Sequence, residues 1–179
     1  FIFNNRIQLI YNDVRKFGFL KVISVSDITD NKHLKLLGPE PFSKLYNIKY
    51  FKEYLFGKKR TIKDILMDQK FLAGLGNIYV NEILFLSKID PNKKGGLFNK
   101  KECKKILDNS KKVLLEAIDK GGSTIRDFKN TYGTKGNFQK EFKVYGREGL
   151  SCKRLKCKGT IKKKNISNRS TFFCDTCQK

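Results

Sequence analysis

The sequence predicts an α+β protein of one or two domains, and three observations carry that prediction. The first two dozen residues alternate apolar and polar side chains, positions 43 to 118 repeat their apolar residues with a helical period, and four of the five cysteines crowd the last 28 positions beside short β-prone segments. A length of 179 residues with a hydrophobic fraction of 39% is enough for a modest core.

The elements follow in chain order. Arg6 to Tyr11 and Phe17 to Val25 read as two strands around a turn at Asn12-Asp13. Residues 26 to 42 form a polar connection ending in Leu37-Gly38-Pro39-Glu40-Pro41, where no helix can persist. Tyr46, Ile48, Phe51, Tyr54 and Leu55 mark one amphipathic helix. A second, capped by Thr61, turns Ile62, Ile65 and Leu66 inward, and a third spans Val80 to Leu86. Asp90-Pro91 and Gly95-Gly96 break the pattern before Asn99 caps a long last helix, which Gly121-Gly122 ends. Residues 128 to 145 read as a loop with an extended exit from Phe142 to Tyr145. With no low-complexity linker between them, the helical block and the tail are expected to pack together.

The formal charge of +22 opposes compaction and favours a polyanionic partner, nucleic acid before a membrane surface. Lysine-rich usage from an AT-rich genome is the compositional alternative. No run approaches the roughly eighteen apolar residues of a membrane span. The opening Phe1-Ile2-Phe3 is no signal peptide and reads as the middle of a strand, which predicts a truncated or split chain; with no secretion signal, a reducing cytoplasm is expected.

The tail cysteines fall as Cys152-x4-Cys157, sixteen residues, then Cys174-x2-Cys177. Two close pairs joined by a short hairpin can place four thiolates around one structural Zn²⁺, one per chain, with no position left for water. Two disulfides would not explain the pairing. Lys153, Arg154, Lys156, Lys158, Lys162, Lys163, Lys164 and Arg169 make the hairpin basic enough to meet a phosphate backbone. Elsewhere the signals are weaker. Gly74-Leu75-Gly76-Asn77 before the third helix could seat an anion, or could be a tight turn in which Asn77 caps the helix. His33 reads as a surface residue, Cys103 as a structural thiol, and Glu53 and Glu82 as solvated or capping carboxylates. No self-sufficient catalytic centre is visible.

Together these segments resemble the formamidopyrimidine-DNA glycosylase family nearly end to end. Asn12-Asp13-Val14-Arg15-Lys16-Phe17-Gly18 is similar to the family's Asp-Pro-Arg-Arg-Phe-Gly turn. Leu37 to Pro41, Met67-Asp68-Gln69 through Gly74 to Glu82, Gly121 to Phe128, Val144 to Gly149, and Arg169 to Cys174 follow in the family's order. The resemblance implies the end strands of an N-terminal β-sandwich lobe over 1–36, a helix-two-turns-helix domain over 37–145 and a zinc finger over 146–179. It implies a monomeric base-excision enzyme that binds double-stranded DNA carrying oxidised purines or abasic sites, removes the base and nicks the strand. On that likeness Arg15 and Phe17 would fill the space left by the flipped nucleotide, Arg15 facing the orphaned base. Asn77, Lys58, Lys63 and Arg169 would hold phosphates, and Arg169 would also assist the second elimination, its catalytic role.

Three departures qualify the likeness. The family's nucleophile is an N-terminal proline followed by a glutamate, where this chain has Phe1-Ile2; the implied division of labour is a DNA-binding portion, inactive alone, completed in a longer protein or by a separate lobe chain. Val14 replaces a common proline, and the first cysteine pair is spaced x4 rather than x2. A non-catalytic module from a split or degenerate gene, the related endonuclease VIII branch and a ribosomal zinc ribbon are the competing readings. Arg15, Phe17 and the Leu37 to Pro41 segment favour the purine branch.

Overall fold

In the computed structural model, residues 1–5, 7–13, 16–124 and 136–179 are described. They fall into two compact units, Phe1–Lys35 and Leu36–Lys179.

The second unit is built on four helices: α1 Ile48–Leu55, α2 Ile62–Met67, α3 Asn77–Ser87 and α4 Lys100–Asp119. Local chemistry fixes their starts. The Asn47 side chain accepts from Tyr50 N at α1, and Thr61 Oγ1 accepts from Asp64 N at α2. Asn99 and Glu102 form a reciprocal capping box at α4, so the cap expected at Asn99 is present, with Glu102 as its partner. Gly121 and Gly122, both at positive φ, let the chain leave α4 while their amides bond back to Ile118 and Ala117. Before the bundle, Gly38 donates to Gln69 O at 2.8 Å. A Cβ there would sit 2.5 Å from Phe71 O, so only glycine allows this approach.

Tyr46, Phe51, Phe71, Ile83, Ile106 and Val113 lie in one core. Phe71 is its aromatic hub, stacked on Tyr50 with ring planes 6° apart and edge-on to Phe51. α3 is buried on nearly every side from Val80 to Phe85, which makes it the central helix that the others cover.

The tail forms an antiparallel hairpin, β1 Ile161–Ile166 with β2 Arg169–Cys174, in register from Ile161↔Cys174 to Ile166↔Arg169. Ser167 and Asn168 turn it with φ of 46° and 58°, the primed geometry that matches strand twist. Phe85 from α3 joins Val144, Ile161, Phe172 and Cys174 in a second cluster, so the tail packs onto the helical domain as expected. The fold is α+β.

The first unit departs from the sequence reading. Its described residues hold one isolated bridge, Ile2↔Gln8, and a single 3-10 turn at Val25–Asp27, with no strand. Ile7, Leu9, Phe17, Phe19 and Val22 are all exposed. Alternation selects a strand only when one face has a layer to bury against, and a lone hairpin is marginal in water. The β-sandwich lobe is thus not seen in this unit. His33 is exposed, as expected, with Phe19 beside its ring. Among the described residues no helix is long and apolar enough to cross a membrane.

Candidate nucleic-acid interface and metal centre

The hairpin gathers the four tail cysteines. Cys152 and Cys177 Sγ lie 3.9 Å apart, Cys157 and Cys174 Sγ 3.7 Å apart, and all four sulfurs fall within 4.8 Å of one another. Sulfurs about 2.3 Å from a tetrahedral zinc stand about 3.8 Å apart, so the set fits that ion closely. The backbone supports it. Cys152 N donates to Gly159 O at 2.9 Å and Arg154 N to Cys152 Sγ at 3.4 Å. A Cβ on Gly159 would come within 2.7 Å of Cys174 Sγ, which reserves that position for glycine. The x4 spacing is absorbed by Lys156 at φ 63°.

Two side chains fasten this centre to the helices. Arg154 spreads over the Phe85 ring, 4.7 Å from its centroid, and donates to Phe85 O. Gln178 accepts from Cys174 N and donates to Ile89 O, both at 2.9 Å.

The second convergence joins the helix starts to β2. Gly74, at φ 87°, turns the chain toward α3, and Gln69 braces the turn through Gly74 N at 2.8 Å and Leu75 O at 2.9 Å. Gly76, not Asn77, is the N-cap of α3, and no side chain caps it. The expected cap residue does something else. Asn77 Nδ2 donates to Ser170 O at 2.9 Å, one residue from Arg169. Lys63 Nζ donates to the same carbonyl at 3.1 Å and to Thr171 Oγ1. Asn81 completes the seam: its Oδ1 accepts from Phe172 N at 2.7 Å and its Nδ2 donates to Asn77 O at 2.6 Å. A groove of about 600 Å³ runs alongside, lined by Arg60, Lys63, Asp64, Asp68, Ser167 and Arg169. An α-helix start with no acidic residue in its first turn, next to exposed Arg169, offers an anion both free amides and positive charge.

Lys63 is 1% exposed. Burial pushes its ammonium down to about 8; neighbouring Asp64 opposes the drop and Arg169 adds to it. The sign for folding follows. Between about pH 8 and 10.5 the unfolded lysine holds a proton that the folded one has lost, so stability rises with pH there. Below that window both states are protonated and the burial cost is fully present. Urea midpoints of the chain should therefore climb across this window relative to those of Lys63→Met. Parallel pH profiles for the two proteins would contradict the assignment.

The remaining expected site residues separate. Lys58 lies in the turn after α1, its ammonium 5.1 Å from the Tyr54 ring centroid, and shares no hydrogen bond or ion pair with the Asn77–Lys63 seam. Phe17 belongs to the first unit and is 83% exposed. Arg15 lies outside the described residues, as do positions 125 to 128 of the Gly121 to Phe128 segment.

Glu82 corrects the sequence reading. It is 3% exposed, and its carboxylate accepts from Lys143, Val144 and Tyr145 N at 2.9, 3.0 and 2.9 Å. A carboxylate directly before the apolar run Ile83 to Leu86, on a helix whose apolar residues leave little free face, was the available sign that it serves the interior.

The comparisons with known proteins agree with this geometry. The pattern described as "Formamidopyrimidine-DNA glycosylase H2TH domain" matches residues 37–129, more than half the chain. The chain belongs to the formamidopyrimidine-DNA glycosylase family. A second pattern, "Zinc finger found in FPG and IleRS", matches residues 149–179, and with the sulfur geometry it establishes a structural zinc site. Formamidopyrimidine-DNA glycosylases of Oceanobacillus iheyensis and Rickettsia conorii are each 43% identical over 99% of the chain. The chain spans 63% and 64% of the lengths of these two relatives. Among solved structures, the Lactococcus lactis enzyme in complex with DNA containing an abasic site superposes with a TM-score of 0.85 at 38% identity, over 93% of this chain and 60% of that one. The Thermus thermophilus family member gives 0.85 at 36% identity, over 93% and 62%.

Proposed function

We propose that the chain is the DNA-gripping, zinc-braced portion of a bifunctional glycosylase and abasic-site lyase of base-excision repair, acting as a monomer in the bacterial cytoplasm on duplexes with oxidised purines or abasic sites. The carrying observation is the shared carbonyl of Ser170, which Asn77 and Lys63 both hold beside Arg169. That seam holds the helix start beside the end of the hairpin, which supports reading the two as one phosphate site. A relative solved on abasic-site DNA supports the choice of ligand.

Each residue has a part in this reading. Asn77, the α3 start and Arg169 grip phosphates beside the lesion, Lys63 holds the hairpin and adds charge, and Lys58 extends the track. Arg15 and Phe17 fill the void left by base extrusion, which costs a few kcal/mol. In the whole protein an N-terminal proline's secondary amine attacks the sugar C1′ and the C1′–base bond breaks. β-Elimination then breaks the C3′–O bond and δ-elimination, which Arg169 assists, the C5′–O bond, so that both strand ends leave as phosphates and the base-free sugar remnant is released by hydrolysis of its bond to the proline. A polypeptide starting at Phe1 has no such proline, and borohydride should trap little of it on abasic-site DNA. A separate lobe chain or a longer reading frame would restore trapping.

The test is salt-dependent binding to an abasic-site duplex. With about six phosphates neutralised, log K should fall against log salt with a slope of roughly −5, and Arg169→Ala should reduce that slope by about 1. Asn77→Ala should weaken damaged and undamaged duplexes alike, because a phosphate contact does not read the base. Affinity indifferent to salt and to both substitutions would overturn the reading.

A further inference from the structure

A second basic surface lies at the opposite end of α3 from Asn77, about 16 Å along the helix axis. On α4, Lys101, Lys105 and Lys112 follow at intervals of four and seven residues, which puts them on one stripe, and all three are exposed. Two more lysines border it. Ser87 Oγ donates to Lys105 O at 3.4 Å, next to exposed Lys88, and Lys179 N donates to Lys88 O at 3.3 Å. Among the described residues none of these five lysines has an ion pair. Their neighbours do: Lys104 pairs with Asp108 at 3.0 Å and Lys93 with Glu102 at 2.6 Å.

Asp108, paired with Lys104, lies on the same face between Lys105 and Lys112, but helix stability does not account for the Lys101–Lys105 end of the pattern. Lys101 stands in the first turn, where the helix dipole disfavours a cation, and Lys101 with Lys105 forms a like-charge i,i+4 pair. A bound anion would reverse both penalties. The stripe runs about 16 Å, the rise of about five base pairs, and offers point charges on flexible stems with no groove for a base edge. Its chemistry suits a sugar–phosphate backbone without sequence preference.

We infer that the Lys101–Lys105–Lys112 stripe binds a second segment of duplex DNA while the Asn77 face holds the first. The inference rests on the DNA-binding reading above. Two occupied faces let the protein pass from one segment to another without entering free solution, so unlabelled DNA hastens its departure from the first.

The experiment measures stoichiometry and departure rate on undamaged duplexes of about twelve base pairs at about 50 mM salt. The chain should take up two duplexes. The weaker one should lose about fortyfold in affinity by about 200 mM salt, the change expected for three phosphate contacts. Lys101→Gln/Lys105→Gln/Lys112→Gln should bind one duplex with unchanged first-site affinity and leave it at a rate independent of competitor DNA. Lys104→Gln, which removes the paired lysine, should behave like the parent. A parent that binds one duplex, with affinity untouched by the triple substitution, overturns this inference and leaves the first reading standing. Equal weakening of all binding by the triple substitution also overturns it, since the stripe would then belong to the first site. No duplex bound at all would remove both readings. Stripe-dependent uptake of vesicles rich in anionic lipid, without a second duplex, would assign the surface to a membrane instead.

Discussion

Removing the metal from Cys152, Cys157, Cys174 and Cys177 is expected to unfold the hairpin and cost on the order of a hundredfold in DNA affinity. The hairpin alone is two short strands with a polar face, too little to fold unaided. Zinc binding at such sites is worth about 10 kcal/mol or more, and that free energy is folding free energy. Cys174→Ser should have the same consequence because Cys174 also lies in the cluster that joins the hairpin to Phe85. Ser170, Thr171 and Arg169 would then lose their places, and the proposed phosphate site with them, while the α1–α4 core stays helical. Zinc content after dialysis, amide exchange in β1 and β2, and affinity for an abasic-site duplex report the three effects. Metal-free protein with a protected hairpin would refute the prediction.

Replacing Glu82 should be the most damaging single change outside the cysteines. Glu82→Leu strands the buried amide of Val144 and the part-buried amides of Lys143 and Tyr145, all of which the carboxylate now satisfies. Each unsatisfied donor costs about 1–3 kcal/mol, so a loss of about 4 kcal/mol in unfolding free energy is expected. Glu82→Gln keeps one oxygen for Val144 and Tyr145 but turns an NH₂ toward Lys143 N, and should cost about 1–2 kcal/mol. Denaturant midpoints distinguish the two. A Glu82→Leu protein within about 1 kcal/mol of the parent would show that water reaches those amides.

Where a function is written in spacing or in a local cap, the sequence was readable. The two cysteine pairs announced four sulfurs around one ion, and Thr61 and Asn99 announced the helix starts they cap. What depends on a distant partner was not. Nothing near Asn77 says that its amide will meet Ser170, 93 positions on, nor that Lys63 will be buried against Thr171. Glu82 has the local look of a surface carboxylate until the turn it holds at Lys143 to Tyr145 is known. The alternation before Val25 failed for the opposite reason, because periodicity states which face could be buried but not whether a layer covers it.

The double hold on Ser170 O has a thermodynamic corollary. If metal occupancy at the cysteines fixes the strand that Asn77 and Lys63 grasp, ion and DNA are coupled ligands, and coupling runs equally in both directions. Whatever factor the ion adds to DNA affinity, bound DNA must add to the retention of the ion. A chelator should then strip the protein more slowly on an abasic-site duplex than free in solution, and the hairpin tip would act as a gauge of whether the protein is on duty.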